Sequence, residues 1–358
     1  MSRWMIYGAN GYTGRLVAAE AVARGQAPVL AGRNRGEVEA LARELGLPSV
    51  VVGLDERSRL RDALHELRLV LHCAGPFSAT SQPMIEACLD TGTHYLDITG
   101  EIGVFENAWR QSDRARKADV VLCPGAGFDV VPTDCLAARL VAVLPAATRL
   151  QLAFEAGGGL SPGTVKTSIE GLGRGGMVRR KGILTPVPLA WKTRTVPFRH
   201  AARTAVTIPW GDVFTAWVST GVADIEVYLA APAALIRRFR LLRHVRPLLR
   251  FGSVQRFLKR RVERSVPGPS AEARASSRTQ LWGEVSSADG RSVSATMVTP
   301  NGYELTVSAS LGLVEYLLDH EPEGGYYTPS LLAGAGFAET LPGVSLEMGD
   351  LQVADSDR

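Results

Sequence analysis

The sequence predicts an α/β protein, in which a doubly wound parallel sheet is followed by a second α+β domain of mostly antiparallel or mixed sheet. Three observations carry this. Short apolar runs alternate with helix-period segments up to about Pro145. A glycine-rich turn joins the first such run to the first helical segment. After Pro145, strand-like runs gather with fewer helical segments between them. Repeated βα units imply parallel strands covered on both faces, whereas gathered strands imply a sheet of their own.

Trp4–Tyr7 is the first strand, and Arg15–Arg24 the first helix, which stops at Gly25. Strand Pro28–Ala31, helix Glu37–Leu45, strand Ser49–Leu54, helix Leu60–Leu67 and strand Leu69–Cys73 follow. Helix Pro83–Asp90, strand His94–Ile98, helix Val104–Lys117, strand Val120–Cys123 and a helix from about Thr133 to Val143 complete the set. Doubling of such units is the mark of a Rossmann dinucleotide fold. Beyond it, Arg149–Phe154, Ala205–Pro209, Thr215–Thr220 and Ala223–Tyr228 read as strands. Leu281–Ser286 and Ser292–Val298 read as a hairpin across Asp289-Gly290, and Tyr303–Ser308 as a strand after Asn301-Gly302. Residues 265–278 read as an exposed loop and the last dozen as a frayed polar tail.

With 46% hydrophobic and 21% charged residues, the 358-residue chain has ordinary globular composition. No apolar run reaches the ~20 residues that span a bilayer; the longest candidate, Leu136–Leu144, carries Arg139. Met1-Ser2-Arg3 leads directly into a strand with no apolar leader, so a cytoplasmic protein is expected. Cys73, Cys88, Cys123 and Cys135 show no CxxC or zinc spacing, which predicts buried free thiols and no metal. The net charge of +4 is unevenly spread: residues 233–264 hold eleven Lys/Arg against one acid, Glu263, leaving the remainder with 29 cations against 35 acids.

Gly8-Ala9-Asn10-Gly11-Tyr12-Thr13-Gly14 follows the first strand and opens the first helix, the context in which a glycine triplet holds a dinucleotide. Gly8 turns the chain, Gly11 lets backbone approach a diphosphate, and Gly14 lets helix and sheet pack closely. The helix start offers N–H groups and partial positive charge to phosphate. The second strand ends Gly32-Arg33-Asn34, where an NAD site places a carboxylate for the ribose 2′-hydroxyl. A guanidinium there suits a 2′-phosphate, so NADP is expected, with Arg33 and Asn34 at the ribose. A solvated surface arginine is the alternative reading of Arg33. Asp55, ending the third strand, is placed at the adenine edge or in a plain turn. Ala74-Gly75-Pro76, ending the fourth, presents backbone to the nicotinamide ribose or simply turns the chain.

GANGYTG, AGRN, CAGPF, GTHYLDITGE (Gly92–Glu101) and PGAGFDVVPTD (Pro124–Asp134) together resemble the saccharopine dehydrogenase-like proteins. The similarity is greatest to the branch with trans-acting enoyl reductases and saccharopine dehydrogenase-like oxidoreductases. It covers about residues 1–140, and Gly325-Tyr326-Tyr327-Thr328-Pro329 resembles a late segment of the family. The resemblance implies an NADP-binding Rossmann domain (1–130), an α+β substrate domain (131–310) and a C-terminal segment (311–358) packing back on the first. It also implies that Gly127, Phe128, Asp129 and Pro132, with Tyr95, Asp97, Thr99, Gly100 and Glu101, line the site beside the nicotinamide. Asp97, Glu101, Asp129 and Asp134 put four carboxylates near two successive strand ends, and a buried one can acquire a raised pKa and donate a proton. Tyr95, Asp97, Glu101 and Asp129 are therefore the catalytic candidates. Capping and loop hydrogen bonding are the alternative for each, and Asp134 suits the first turn of its helix.

A saccharopine-forming enzyme needs several cations for an amino-dicarboxylate. The segment Lys166–Lys181 offers Arg174, Arg179, Arg180 and Lys181, which nothing in the sequence places at a site. A short-chain dehydrogenase is excluded, because no tyrosine has a lysine four positions on. His65-Glu66 lacks the second histidine of a zinc site, and no P-loop lysine follows the glycines. The expected activity is NADPH-dependent reduction of a C=C or C=N bond, with a small-molecule or acyl-chain substrate and enoyl reduction of a lipid or carrier-bound chain preferred. A saccharopine-type amino-acid reductase and a non-catalytic dinucleotide-binding scaffold at a membrane surface are the alternatives. Residues 233–264 read as a basic amphipathic helix, or two broken near Pro247 and Gly252, for a solvated face, an anionic membrane or an acidic acyl carrier protein. Peripheral membrane attachment and a homodimer stay open. Nucleic acid is not expected, since aromatics are sparse in this segment and no reading motif occurs.

Overall fold

In the computed structural model, which describes residues 4–155, 175–249 and 269–353, seven strands pair in one all-parallel sheet. They are β1 (Trp4–Tyr7), β2 (Val29–Gly32), β3 (Ser49–Val51), β4 (Leu69–His72), β5 (His94–Asp97), β6 (Val121–Cys123) and β15 (Gly325–Tyr326). Their order is β15-β6-β5-β4-β1-β2-β3. Without β15 this is the doubly wound order, which reverses between β1 and β4. β1 and β4 are buried along their whole length, as expected for central parallel strands. Helices Tyr12–Ala23, Arg35–Leu45, Arg57–Leu64 and Phe77–Thr91 lie between consecutive strands. The expected helix Val104–Lys117 is two, Ile102–Arg110 and Ser112–Ala118, separated at Gln111.

Two compact units result, Met1–Val131 with Tyr303–Gly334, and Pro132–Gly302 with Ala335–Arg358. The stretch after residue 311, read from sequence as one segment, is thus divided between them after Gly334. Tyr303–Ser308 is not a strand but the start of helix Gly302–Asp319. Leu305, Ala309, Leu313 and Leu317 are all fully buried at helical spacing, so packing on this face overrides the hairpin signal of Asn301-Gly302. Arg68 secures its C-terminal end, donating from Nε to the Leu317 carbonyl at 2.6 Å and from a terminal nitrogen to that of His320 at 2.7 Å.

In the second unit, β7 (Ala147–Glu155), β10 (Thr193–Pro197), β11 (Ala202–Thr207), β12 (Asp224–Ala230), β13 (Arg278–Ser287), β14 (Ser292–Pro300) and β16 (Ser345–Met348) form a mixed sheet. Its order is β10-β11-β12-β7-β13-β14-β16, with β8 (Gly176–Arg180) on β12 and β9 (Ile183–Val187) on β8. Only β7 and β12 pair in parallel among the described strands. Helix Val131–Val143 lies so close over β13 that a Cβ on Gly283 would come within 2.7 Å of Leu140.

Thr215–Thr220 is a correction: it belongs to helix Asp212–Thr220, although its Val and Thr residues favour strand. Val213, Phe214 and Ala216 are buried there, and Gly221 ends the helix in the left-handed region, donating to the Trp217 carbonyl. The expected loop 265–278 contains helix Ala271–Ser276, N-capped by the Ser270 hydroxyl; residues 265–268 lie outside the described part. The tail is tied down further than expected, since β16 pairs with β14 and Gln352 bridges to Ser292. Helix Ala233–Leu249 continues through Pro247 without the expected break, and the rest of the basic segment, Gly252 included, lies outside the described residues.

Candidate functional site

The loops after β1, β4, β5 and β6 leave the same edge of the parallel sheet, the edge where such folds bind ligands. Gly8 has a φ of +81°, and its N–H and that of Ala9 donate to the Ala31 carbonyl at the end of β2, at 2.8 and 3.1 Å. A Cβ on Gly8 would lie 2.7 Å from the Ala74 nitrogen, and one on Gly14 would lie 2.4 Å from the Gly8 oxygen. The glycine loop is therefore pressed between the first helix and the Ala74-Gly75-Pro76 loop. Two segments 60 residues apart in the chain meet at the point where strand order reverses.

Helix Tyr12–Ala23 starts from Gly11, which has no side chain to cap it, and its first turn contains no carboxylate. Its N–H groups and dipole thus suit a diphosphate. The helix start after β4 is taken: Glu101 accepts from Phe77 N–H at 2.9 Å and Ser78 N–H at 3.1 Å, holding a negative charge on helix Phe77–Thr91. Asn10 donates to Glu37 at 2.7 Å and its carbonyl accepts from Arg15, which pins the loop to the next helix. Asn34 caps helix Arg35–Leu45 by accepting from Glu37 N–H, while Arg33, just beyond β2, is exposed. Tyr12 and Thr13 sit half-buried in the first turn, and Asp55 is exposed beyond β3.

The carboxylates have different environments. Asp97 is fully buried and accepts from the Tyr95 hydroxyl at 2.6 Å and from Thr99 and Gly125 N–H at 2.9 Å each. Burial pushes it up to about 6 against the pull of those bonds. Asp97 therefore fastens the loops after β5 and β6 together. The Tyr95 phenol, raised by burial and by Asp97, is sequestered as its donor. Glu101 is a cap, as described. Asp134 lies in the second unit and accepts from Ser219 at 2.6 Å. Asp129 retains some exposure and lies against Gly100, where a Cβ would come within 2.8 Å of Oδ2. Burial first, and the Glu101 charge second, push its carboxyl up to about 7.

Sequence reasoning missed three contributors. His72 is fully buried at the end of β4, with ring centroids of Tyr7, Phe77 and Tyr95 at 5.4, 5.5 and 6.2 Å. Burial lowers it to about 3, so it is neutral. Tyr303 meets Tyr12 edge-on at 5.1 Å, and Thr306 accepts from Phe128 N–H at 3.0 Å. The start of helix Gly302–Asp319 thereby braces both the glycine loop and the Gly127-Phe128-Asp129 loop. Reading that segment as a helix would have exposed the signal.

Of the cationic residues considered for an amino-dicarboxylate, Arg179 and Arg180 are engaged elsewhere. Arg179 is buried in the second unit, donating to the Val213 carbonyl at 2.7 Å and the Gly182 carbonyl at 2.5 Å over the Trp217 ring. Arg180 lies over Trp191. Lys181 donates its backbone N–H to Asp224. Lys166 and Arg174 lie outside the described residues. The four cysteines are free, and burial raises Cys73 to about 12, which keeps it a thiol. No group of His, Cys, Asp and Glu among the described residues is arranged to hold a metal.

Residues 4–123, a range that includes the glycine loop and Arg33, match the family model of the saccharopine dehydrogenase NADP binding domain. The first part of this chain is thus similar to an NADP-binding domain of the saccharopine dehydrogenase type. A probable mitochondrial saccharopine dehydrogenase-like oxidoreductase of Arabidopsis thaliana is 35% identical over 147 residues, 36% of this chain and 32% of the relative. A trans-acting enoyl reductase of Mycobacterium leprae is 31% identical over 140 residues, 36% of this chain and 33% of the relative. The match thus spans about a third of the length of these curated relatives. Saccharopine dehydrogenase (L-Glu forming) of Saccharomyces cerevisiae shares the fold across 98% of this chain and 100% of its own, with a TM-score of 0.67 at 10% identity. Homospermidine synthase of Legionella pneumophila, solved with NAD, does so across 98% of this chain and 92% of its own, also with a TM-score of 0.67 at 10% identity.

The matched domain is thus one that binds NADP, and over the rest of the chain the solved structures share the fold. We propose that Arg33, exposed just beyond β2, meets the 2′-phosphate. Arg33→Ala should weaken NADPH binding roughly 10- to 100-fold, the equivalent of losing ~1.5–3 kcal/mol of charge-assisted hydrogen bonding, and change NADH binding far less. Titration of both coenzymes by calorimetry checks this. An unchanged ratio of the two affinities would return Arg33 to the solvent.

Proposed function

We propose that this protein is an NADPH-dependent reductase of a C=C or C=N bond, with an enoyl group of a lipid or carrier-bound acyl chain as its preferred substrate. The observation that carries the reading is the pairing of roles at one sheet edge. An uncapped helix start beside Arg33 fits the dinucleotide, and Asp129, in the loop after β6, holds a carboxyl that is protonated in part near neutrality. NADPH, when bound, supplies a hydride. The chain's share is to grip the diphosphate at Gly8–Gly14 and the 2′-phosphate at Arg33, and to leave the Ala74-Gly75-Pro76 backbone for the nicotinamide ribose. In this reading exposed Asp55, beyond β3, meets the adenine edge. Asp97 and Glu101 hold the loops that carry Asp129, and Asp129 delivers a proton from its carboxyl oxygen to the substrate.

The fit to an unsaturated rather than an amino-dicarboxylate substrate rests on Arg179, which is committed to carbonyls and an aromatic ring. Four free cysteines accord with work in the reducing cytoplasm. The test is oxidation of NADPH by the purified protein with a panel of enoyl thioesters and of keto acids mixed with amines. Consumption with the enoyl thioesters alone supports the proposal. Consumption with the keto acid and amine mixtures alone would establish the amino-acid reductase instead. Tight NADPH binding with no consumption by any member would leave a non-catalytic dinucleotide-binding protein.

A further inference from the structure

Helix Ala233–Leu249 contains five arginines and no acidic residue. Few of its described side chains attach it to the rest of the second unit. Ile236 is buried, and Phe239 packs with it against Ala190, Val206 and Ala231. Arg243 donates to the Leu189 and Ala190 carbonyls at 2.8 and 2.7 Å. Arg237 and Arg238, on the other side, are exposed, and Leu241, one turn further, is 69% exposed. No hydrogen bond or ion pair engages these two arginines among the described residues. An apolar side chain left in solvent between uncompensated cations is neither a core position nor a salt-bridged surface.

A second observation adjoins it. The backbone gripped by Arg243 leads directly into Trp191, a half-buried indole with the Arg180 guanidinium and the Lys192 ammonium each 4.4 Å from its ring centroid. Arg240 reaches the next residue but one, hydrogen-bonding Thr193. The helix thus carries Arg237, Arg238 and Leu241 on its outer side, while its anchored side meets a loop of tryptophan and lysine. An aromatic ring with an apolar body among cations, beside a basic amphipathic helix, is suited to the headgroup layer of an anionic bilayer. No helix among the described residues is long and apolar enough to cross a membrane, so contact would be from the surface.

We propose that this face docks the protein on anionic lipid. Arg237 and Arg238 face the headgroups, and Leu241 enters the acyl boundary. Charge complementarity selects the occupant, and the exposed leucine selects lipid over a soluble polyanion. The proposal does not depend on which substrate the NADP-binding domain serves.

The full chain is sedimented with vesicles of phosphatidylcholine alone and with vesicles containing about 30% phosphatidylserine. Binding is expected only to the second, and it should be lost in about 1 M salt, where screening acts within ~3 Å. Because each basic side chain contributes several-fold, Arg237→Glu with Arg238→Glu should lower partitioning at least ~10-fold. Leu241→Gln should lower it by a smaller factor that salt does not change. Both variants should keep wild-type NADPH affinity and melting temperature, since the replaced side chains are exposed. Equal binding to both vesicle types, or undiminished binding of the double variant, overturns the proposal. So does capture of the wild type by polyglutamate or an acidic carrier domain with no binding to anionic vesicles, which would assign the face to a protein partner.

Discussion

Gly14→Ala should abolish NADPH binding while costing only part of the fold's stability. A Cβ at this position would lie 2.4 Å from the Gly8 oxygen, 2.9 Å from the Ala9 Cα and 3.0 Å from the Ala9 oxygen. All three obstacles are backbone, so no side chain can swing aside, and the loop itself must move away from the helix start. The diphosphate depends on that spacing, because the N–H groups act over hydrogen-bond distances. Overpacking of this kind costs about 1–3 kcal/mol of stability. Affinity for both NADPH and NADH should fall more than ~100-fold, about two 1.4 kcal/mol steps. Gly25→Ala separates the two effects. Gly25 has a φ of +73° and open space where its Cβ would be, so alanine there strains the backbone without touching the loop. That variant should melt earlier yet bind NADPH normally. Wild-type affinity in Gly14→Ala would remove the glycine loop from the site.

Asp129→Asn should lower kcat by roughly 10²- to 10⁴-fold with little change in KM or NADPH affinity, the usual range for a lost general acid. The pH dependence gives a more specific signature. With its carboxyl pushed up to about 7, Asp129 is protonated below that pH and loses its proton above it. The wild-type rate of reduction should therefore decline as pH rises through about 7, and this limb should vanish in the asparagine variant. Stability moves in a related sense. The folded carboxyl has a higher pKa than the unfolded one, so ionisation costs stability progressively from about pH 4 upward, and fully above about pH 7. Asp129→Asn should accordingly raise the melting temperature more at pH 8 than at pH 5. A rate profile that is the same in both proteins would leave Asp129 a purely structural residue.

Much of the N-terminal architecture was legible because its signals are local. Buried parallel strands must be short and apolar, and a dinucleotide loop needs glycines at fixed offsets between strand and helix. The division among the carboxylates was not legible. Asp97, Glu101 and Asp129 look alike in sequence, yet one fastens two loops, one caps helix Phe77–Thr91, and one is left against Gly100 with a raised pKa. Each role depends on which N–H groups arrive from other strands, and those partners lie up to 28 residues away.

The amino-acid order by itself determined the Rossmann unit, the glycine loop, the guanidinium in place of an acid after β2, and the concentration of positive charge in residues 233–264. All are matters of spacing or composition along a continuous stretch. Only the tertiary structure decided that Asp212–Thr220 and Gly302–Asp319 are helices, that β15 adds to β6, and which arginines of the basic helix are anchored. In those places local preference is weak or points the other way. Burial against distant elements outweighs it, because a few tenths of a kcal/mol per residue of propensity yield to the ~1.5–3 kcal/mol gained by each large apolar side chain that finds the core.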